Sequence, residues 1–524
     1  MLELANQGFP ILSAIVAAPL LAAVALLFVP DAQRGVVRGI SLAGAGLSAL
    51  ASAWVAWRYV QELPDGGWLF VEHYEIVPTL GISYTLACDG WSASLLLLTG
   101  VIIFAGTWAS FSVEERAREF FVFLLVLVAG VYGVFVAQDL FVFFLFYEIA
   151  VLPMFLLIGI WGSTGKVAAQ GPFAWALRML DVGGREYAAM KLTLMLLVGS
   201  AFILAAFIAM ALSAQSFLMD DIDAASIPYW LQWFAFPALW VGFGTLAGLW
   251  PFHTWSPDGH AAAPTAVSML HAGVLMKLGA FGVMRVGMVL LPQGAQSWAL
   301  VVGSVACVNI FYGAVSAMSQ KDLKYVVAYS SVSHMGIVML GAATLTVEGW
   351  NGAVYQMFAH GIMTGLFFAL VGIIYDRTHD RWIPRMGGFA RIMPVVAVAF
   401  VVAGLSSLGM PGTAGFVAEL MVFLGAWKVE GVGPIWAITG IVGAFITAIY
   451  VMKAVRAIFF GDGPPERFAS LGDATGTELV APWILGLALI VFGAWPLFLL
   501  DMIDATTPGY LLGVLEAVVV ESAP

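Results

Sequence analysis

Residues 248–265 read GLWPFHTWSPDGHAAAPT, and residues 406–421 read SSLGMPGTAGFVAELM. Each sets proline and glycine inside an apolar run of bilayer-crossing character. Proline removes a backbone donor and clashes with the preceding turn. In hydrocarbon such a break persists only where protein or a water-lined cavity satisfies the freed backbone groups. Paired broken helices in corresponding halves of a chain mark the architecture of secondary transporters. The plainer alternative is two ordinary proline kinks.

Working outward from these breaks, fourteen apolar runs of roughly 20 residues are long enough to span. Their centres lie near Val16, Leu47, Leu98, Leu127, Ala150, Phe202, Leu239, Leu275, Ala306, Met335, Gly361, Gly409, Gly443 and Leu489. The breaks fall in the seventh and twelfth, five spans apart. Helices 4–8 and 9–13 then form two five-helix units. Five is odd, so the second unit enters the membrane from the opposite side, as an inverted repeat. The expected organisation is residues 1–112 for helices 1–3, 113–292 for the first repeat, 293–462 for the second, and 463–524 for helix 14 and a tail. The fold class is an all-α integral membrane protein.

Composition agrees. The 524 residues are 62% hydrophobic and only 10% charged, and the mean hydropathy is +0.97. A soluble surface needs far more charge. MLELANQGFP, residues 1–10, carries no Lys or Arg, so helix 1 reads as a mature span rather than a cleavable signal. The two cysteines, Cys88 and Cys307, form no C-x-x-C, which argues against iron–sulfur or structural zinc in this chain. No glycine-rich phosphate loop follows a strand.

Lys and Arg orient the chain. Seventeen of the 21 fall on one side: Arg34, Arg38, Arg116, Arg118, Lys166, Arg178, Arg185, Lys191, Lys321, Lys324, Arg377, Arg381, Arg385, Arg391, Lys453, Arg456 and Arg467. The opposite joints carry Glu62, Asp65, Glu72, Glu75, Asp220, Asp221, Asp223, Asp501 and Asp504. Both termini then lie outside the cytoplasm.

A few ionisable groups remain inside the spans. Glu148 stands alone in FVFFLFYEIAVLPMFLLIGIW (141–161), Lys277 in AGVLMKLGAFGVM, and Glu419 just beyond the break of helix 12. His334 on helix 10 and His360 on helix 11 join them, with His253 at the break of helix 7. A charged group at the bilayer centre costs about 2.5–3.5 kcal/mol on insertion scales, so such groups are read as functional. Glu, Lys and His bridged by water make a proton relay, and histidine's unperturbed pKa near 6.5 suits its middle. His253 and His260 could instead cap backbone groups, and His271 reads as a satisfied packing histidine. Lys191 could snorkel to the interface.

LFYEIAVLPMFLLIGIWG, PFHTWSPDGHAAAPTAVSMLHAGVLMKLGAFGVMR, QKDLKYVVAYSSVSHMGIVML, YQMFAHGIMTGLFFALVGIIYDRTHDR and GMPGTAGFVAELMVF together resemble the NuoM family. These are antiporter-like membrane subunits of respiratory complex I, the proton-pumping NADH:quinone oxidoreductase. The resemblance covers roughly 90–480. No long lateral helix follows helix 14, which favours NuoM over the distal subunit. The resemblance implies roles for Glu148, Lys191, Lys277, His334, His360 and Glu419 in protonatable half-channels joined along a polar axis. It also implies partner membrane subunits embedded in lipid, FMN, iron–sulfur clusters and a quinone held elsewhere in the assembly, and no nucleic acid. An Mrp-type or hydrogenase-linked cation/proton antiporter subunit shares the inverted repeat and is the first alternative.

One departure stands out. The family pattern K-M-P-x-x-P-x-H-x-W-x-P places a lysine seven residues before His253, where this chain has Leu246, and K-M-P has become Leu246-Ala247-Gly248. In the family that lysine pairs with the helix-5 glutamate. Three expectations follow, in this order: Lys191 substitutes for it, the input half conducts by another route, or the chain is a non-conducting structural subunit.

Overall fold

The computed structural model describes residues 6, 8–64, 67–163, 184–222, 226–461 and 463–517. Lys166 and Arg178 of the basic set, and Asp65 and Asp223 of the acidic set, lie outside the described residues.

In chain order the crossings are α1 (Ile11–Leu27), α2 (Arg34–Glu62), α3 (Gly90–Ala109), α4 (Ala117–Val136), α5 (Leu140–Trp161) and α6 (Arg185–Ala214). Next come α7 in two pieces (Tyr229–Ala247 and Trp255–Ala262) and α8 (Thr265–Met288), then α9 (Pro292–Ser319), α10 (Leu323–Ala343) and α11 (Val347–Thr378). The last are α12 in two pieces (Pro394–Ser407 and Ala414–Trp427), α13 (Gly433–Phe459) and α14 (Val480–Ala494). Two further helices follow, α15 (Leu497–Asp504) and α16 (Thr507–Glu516).

Thirteen helical stretches among the described residues are long and apolar enough to cross a membrane. Twelve of them are crossings named above. Two more crossings, α1 and the two-piece α12, are shorter helices. The thirteenth stretch, Leu497–Glu516, is not a crossing. It is split into helices of 8 and 10 residues, and it lies across helix ends that share one face. Thr506 Oγ1 accepts from the Gly90 N–H at 2.9 Å, Asn351 donates to Asp504 at 2.6 Å, and Gln293 donates to the Ala517 carbonyl at 3.4 Å. Fourteen crossings therefore stand among the described residues, and the tail expected after helix 14 is a helical cap.

Crossings alternate in direction, so the basic residues of the α3–α4, α9–α10 and α11–α12 joints gather on one face with the starts of α2 and α6. The opposite, acidic face carries α15, α16 and an antiparallel hairpin, β1 (Leu69–Val77) paired with β2 (Ile82–Cys88). The hairpin lies in the long joint between helices 2 and 3 and is the departure from an all-helical chain. It serves α1. The Glu72 carboxylate accepts from the Leu12 N–H at 2.8 Å and the Ser13 N–H at 3.1 Å, satisfying donors that a helix start leaves open. Burial pushes the Glu72 carboxyl above its usual range despite those bonds.

The two breaks fall in α7 and α12, and α4–α8 and α9–α13 enter from opposite faces. α7 stops where Gly248 takes φ +71°, a conformation open to glycine without a Cβ clash. Side chains satisfy the freed backbone. Trp255 Nε1 donates to the Thr245 carbonyl at 2.8 Å, and Asn309 Oδ1 accepts from the Trp250 N–H at 2.7 Å. Asn309 Nδ2 in turn donates to the Val332 carbonyl at 2.7 Å, which ties the break to α9 and α10. In α12, Gly409 and Gly412 take φ +67° and +91°, and the Thr413 hydroxyl donates to the Met410 carbonyl at 2.8 Å.

The core is central. α8 and α11 are buried on every side and α10 nearly so, whereas α6 and α13 present Leu194, Val198, Ile435 and Phe445 outward. A helix that is apolar all round belongs inside a bundle or in lipid. Here three such helices form the interior and carry Lys277, His334 and His360.

Candidate functional site

α8 is not a uniform α-helix. Residues His271–Leu275 and Val283–Met288 form wider π turns, which occur mostly as local bulges and often at functional sites. The first of these lies beside Lys277. Its ammonium group donates to the Ala272 carbonyl and meets His360 Nδ1 at 2.6 Å. Lys277 is fully buried, and so are both partners.

From His360 the line continues. The His360 and His334 rings lie 5.2 Å apart, tilted by 33°. His334 Nε2 is 3.3 Å from the Ser407 hydroxyl, and its Nδ1 is 3.1 Å from Gln356 Nε2. The same Nδ1 stands 3.5 Å from Glu419 Oε1, beyond a good hydrogen bond and within ion-pair range. Glu419 itself presses against the break of α12. A Cβ added at Gly409 would fall 2.6 Å from Glu419 Oε2. Four of the seven sequence-nominated residues, Lys277, His360, His334 and Glu419, thus form one buried file across α8, α11, α10 and α12.

That contact yields a prediction. Gly409→Ala forces a side chain into a left-handed backbone, at about 1–2 kcal/mol, and displaces the Glu419 carboxylate. Gly412→Ala carries similar backbone strain with open space around it. Proton movement in sealed vesicles should therefore fall for Gly409→Ala and hold for Gly412→Ala.

The first half is arranged otherwise. Glu148 is half-buried on α5, on the side of α6 that carries Ser200. Lys191 does not replace the missing helix-7 lysine. It precedes Ser200 by nine residues, roughly 13 Å along the helix at 1.5 Å per residue. Its ammonium pairs with Asp258 at 2.7 Å, and Asp258 also accepts from Tyr325 at 2.9 Å. Leu246 is buried in the hydrophobic core. Phe143 and Tyr147 of α5, Phe207 of α6 and Phe243 of α7 form one aromatic cluster, with centroids 5.9–6.1 Å apart. A Cβ on Gly279 would fall 2.4 Å from the Phe243 carbonyl oxygen and 2.5 Å from the Ala247 nitrogen. α7 and α8 are therefore in backbone contact at the level of Leu246. Among the described residues, no hydrogen bond or ion pair links Glu148 to Lys277.

His253 sits at the break of α7 with its ring against Tyr312, 4.9 Å between centroids. Neither of its ring nitrogens has a protein hydrogen-bonding partner, and the same holds for His260 and His271. None of the three caps the backbone, and His271 is not a satisfied packing histidine. The reasoning that singled out Lys277, an isolated polar group kept in an apolar run, applies equally to His271 in TAVSMLHAGVLMK. Lys324, placed on sequence in the basic joint, is buried and donates to the Ala263 carbonyl at 2.7 Å.

Comparison with known proteins agrees with this architecture. Residues 137–447 match the family model described as NADH:quinone oxidoreductase/Mrp antiporter, transmembrane. The chain is 37% identical over 508 residues to an NAD(P)H-quinone oxidoreductase chain 4 of a Synechococcus species, covering 95% of this chain and 92% of that one. It is 35% identical over 529 residues to a chain 4 from Thermosynechococcus vestitus, covering 99% and 96%. Among solved structures, a chain of respiratory complex I from Thermus thermophilus with bound NADH superposes with a TM-score of 0.83 at 27% identity, covering 96% and 99%. A chain of the Mrp complex from a Dietzia species shares the fold, with a TM-score of 0.80 at 21% identity and the same coverage.

Proposed function

The chain belongs to the NADH:quinone oxidoreductase/Mrp antiporter transmembrane family, and we propose that it is the NuoM-type, antiporter-like subunit of a complex I-type quinone oxidoreductase. In this reading it moves protons across a bacterial cytoplasmic membrane, with both termini outside the cytoplasm. The observation that carries it is the 2.6 Å contact of Lys277 Nζ with His360 Nδ1. At that separation a proton held by one nitrogen can pass directly to the other. Adding a second charge beside the first in a low-dielectric interior is strongly unfavourable, so a proton arriving at one end of the file displaces one at the other. Glu419, beside the glycine break of α12, is the group from which the proton leaves.

The driving force comes from partner membrane subunits. FMN, iron–sulfur clusters and quinone are assigned to the rest of the assembly, and no step here runs through them.

The native complex in sealed vesicles tests this through its ratio of protons moved to electrons transferred. Glu419→Gln should lower the ratio, whereas Glu148→Gln should leave it near the wild-type value, because no hydrogen bond or ion pair among the described residues joins Glu148 to the file. A full ratio with Glu419→Gln would favour the structural-subunit reading that Leu246 prompts. A sodium-dependent rather than proton-dependent signal would favour the antiporter reading that the Mrp-like fold allows.

A further inference from the structure

We propose that His73 senses pH at the acidic face and passes its charge state, through the hydroxyls of Thr85 and Ser83, to Asp139, the cap of α5. The sensor goes beyond the proton-moving reading, which makes this face the side of release and so gives the sensor a use.

His73 is half-exposed on β1 and stands opposite Thr85 of β2 in the hairpin register. Its Nδ1 lies 2.8 Å from Thr85 Oγ1, and Thr85 Oγ1 lies 2.8 Å from Ser83 Oγ. Ser83 Oγ stands 3.4 Å from Asp139 Oδ2, the loosest link, while the Ser83 N–H donates to the same oxygen at 2.9 Å. Asp139 Oδ1 accepts from the N–H groups of Phe141 and Val142 at 2.9 and 3.1 Å, which caps α5. Thr85, Ser83 and Asp139 are buried, so the chain of polar groups leads from a half-exposed imidazole to a helix start that water does not reach. Three joints meet there. The Gln138 N–H donates to the Thr85 carbonyl at 2.9 Å, and the Met219 N–H to the Gln138 carbonyl at 2.8 Å. The hairpin, the start of α5 and the α6–α7 joint are tied at one point.

A hydroxyl has one hydrogen to donate, and neutral imidazole has one donor and one acceptor nitrogen. Neutral His73 therefore allows two arrangements. With Nδ1 accepting, Thr85 donates to His73, Ser83 donates to Thr85, and Asp139 loses the Ser83 hydroxyl. With Nδ1 donating, both hydroxyls turn round and Ser83 donates to Asp139. Charged imidazole donates from both nitrogens, which leaves only the second arrangement. Charging His73 thus commits one more donor to the carboxylate that caps α5. Histidine is the side chain suited to this, because its charge changes between about pH 5 and 8.

The groups around His73 follow from the pleat, in which side chains alternate between faces. Glu75, exposed on β1 and opposite Ser83, shares the His73 face. Glu72, Tyr74, Tyr84 and Cys88 lie on the other face, where Glu72 is held by the start of α1. Asn6 Oδ1 accepts from the His73 N–H at 2.7 Å. α5 brings Asp139, and α3 brings Asp89, already paired with Arg285, at the far end of β2. α4 meets β2 at Ala137, which bridges to Leu86. The α6–α7 joint meets the turn of the hairpin through Phe217 and carries Asp220 and Asp221.

Hydrogen exchange of the native complex, followed by mass spectrometry, tests this in the peptides holding Ser83, Phe141 and Val142. Rates are compared at about pH 5.5 and about pH 8, on either side of the histidine range, after correction for the pH dependence of exchange itself. Wild-type protection should rise roughly two- to tenfold at the acid pH, the span of one net hydrogen bond. His73→Gln keeps a polar side chain without the charge and should abolish the rise. Thr85→Val cuts the hydroxyl chain while His73 still titrates, and should abolish it too. Thr85→Ser restores the hydroxyl and should keep it. A wild type without the rise, or a Thr85→Val complex that retains it, overturns the proposal. If Thr85→Val fails to assemble, a His73→Gln complex that retains the rise overturns it. Exchange is read without pumping, so a failed sensor leaves the pumping reading standing, and a failed pumping reading leaves the exchange result standing.

Discussion

Lys277→Met in the assembled complex should slow proton movement through this subunit by about 10²–10⁴-fold, the range that a positioned acid–base group contributes. The substitution removes Nζ from between Ala272 and His360 and leaves a side chain of similar length in an apolar setting, so assembly should survive. Lys277→Arg refines the result. Arginine keeps the positive charge but does not release its proton in proteins. A relay therefore fails with arginine as it does with methionine, whereas a fixed positive charge that merely polarises its neighbours is preserved. Flux equal to wild type in Lys277→Met would remove the lysine from the path.

The second large effect concerns stability. Arg285 near the end of α8 pairs with Asp89 at 2.6 Å, both buried, and Tyr510 donates to the same carboxylate at 2.8 Å. The guanidinium also lies over Trp68 at 4.6 Å and Tyr510 at 4.9 Å. Removing one partner of a buried pair strands the other charge and costs about 3–5 kcal/mol. Asp89→Ala should do this and also remove the N-cap of α3, where Asp89 Oδ1 accepts from the Ser92 N–H at 2.8 Å, worth about 1 kcal/mol. Asp89→Asn keeps a capping oxygen and strands the arginine alone. The expected order of melting temperature of the purified complex is wild type, then Asp89→Asn, then Asp89→Ala. A wild-type melting temperature for Asp89→Ala would show that the pair contributes nothing to stability.

How much of this could be read beforehand follows from what lipid constrains. In hydrocarbon the backbone must satisfy itself, so apolar length alone locates the crossings, and Pro251 and Gly409 locate the breaks. The inverted repeat is a matter of parity. Lys277, His334, His360 and Glu419 were legible because an ionisable group in lipid is expensive wherever it points. Which of them meet was not legible, because helix rotation depends on packing rather than on hydropathy. Glu148 has the same sequence signature as Lys277, yet no hydrogen bond or ion pair among the described residues joins it to the file. Lys191 finds Asp258 because the short second piece of α7 turns that carboxylate toward α6, which no count along the chain conveys. His271 reads as a packing residue, although its surroundings are as apolar as those of Lys277. Leu497–Glu516 resembles a span in composition, and only its contacts with helix starts place it across the face.

The α15–α16 cap has a consequence for how the protein is made. Asp89, Arg285 and Tyr510 are separated by about two hundred residues at each step, and the third is synthesised long after the other two have entered the bilayer. Until it arrives, the charged pair at the outer ends of α3 and α8 lacks its lid, and the starts of α9 and α11 lack their tether. The α15–α16 helices thus act as a clasp closed late in synthesis, after the crossings they bind have already been made.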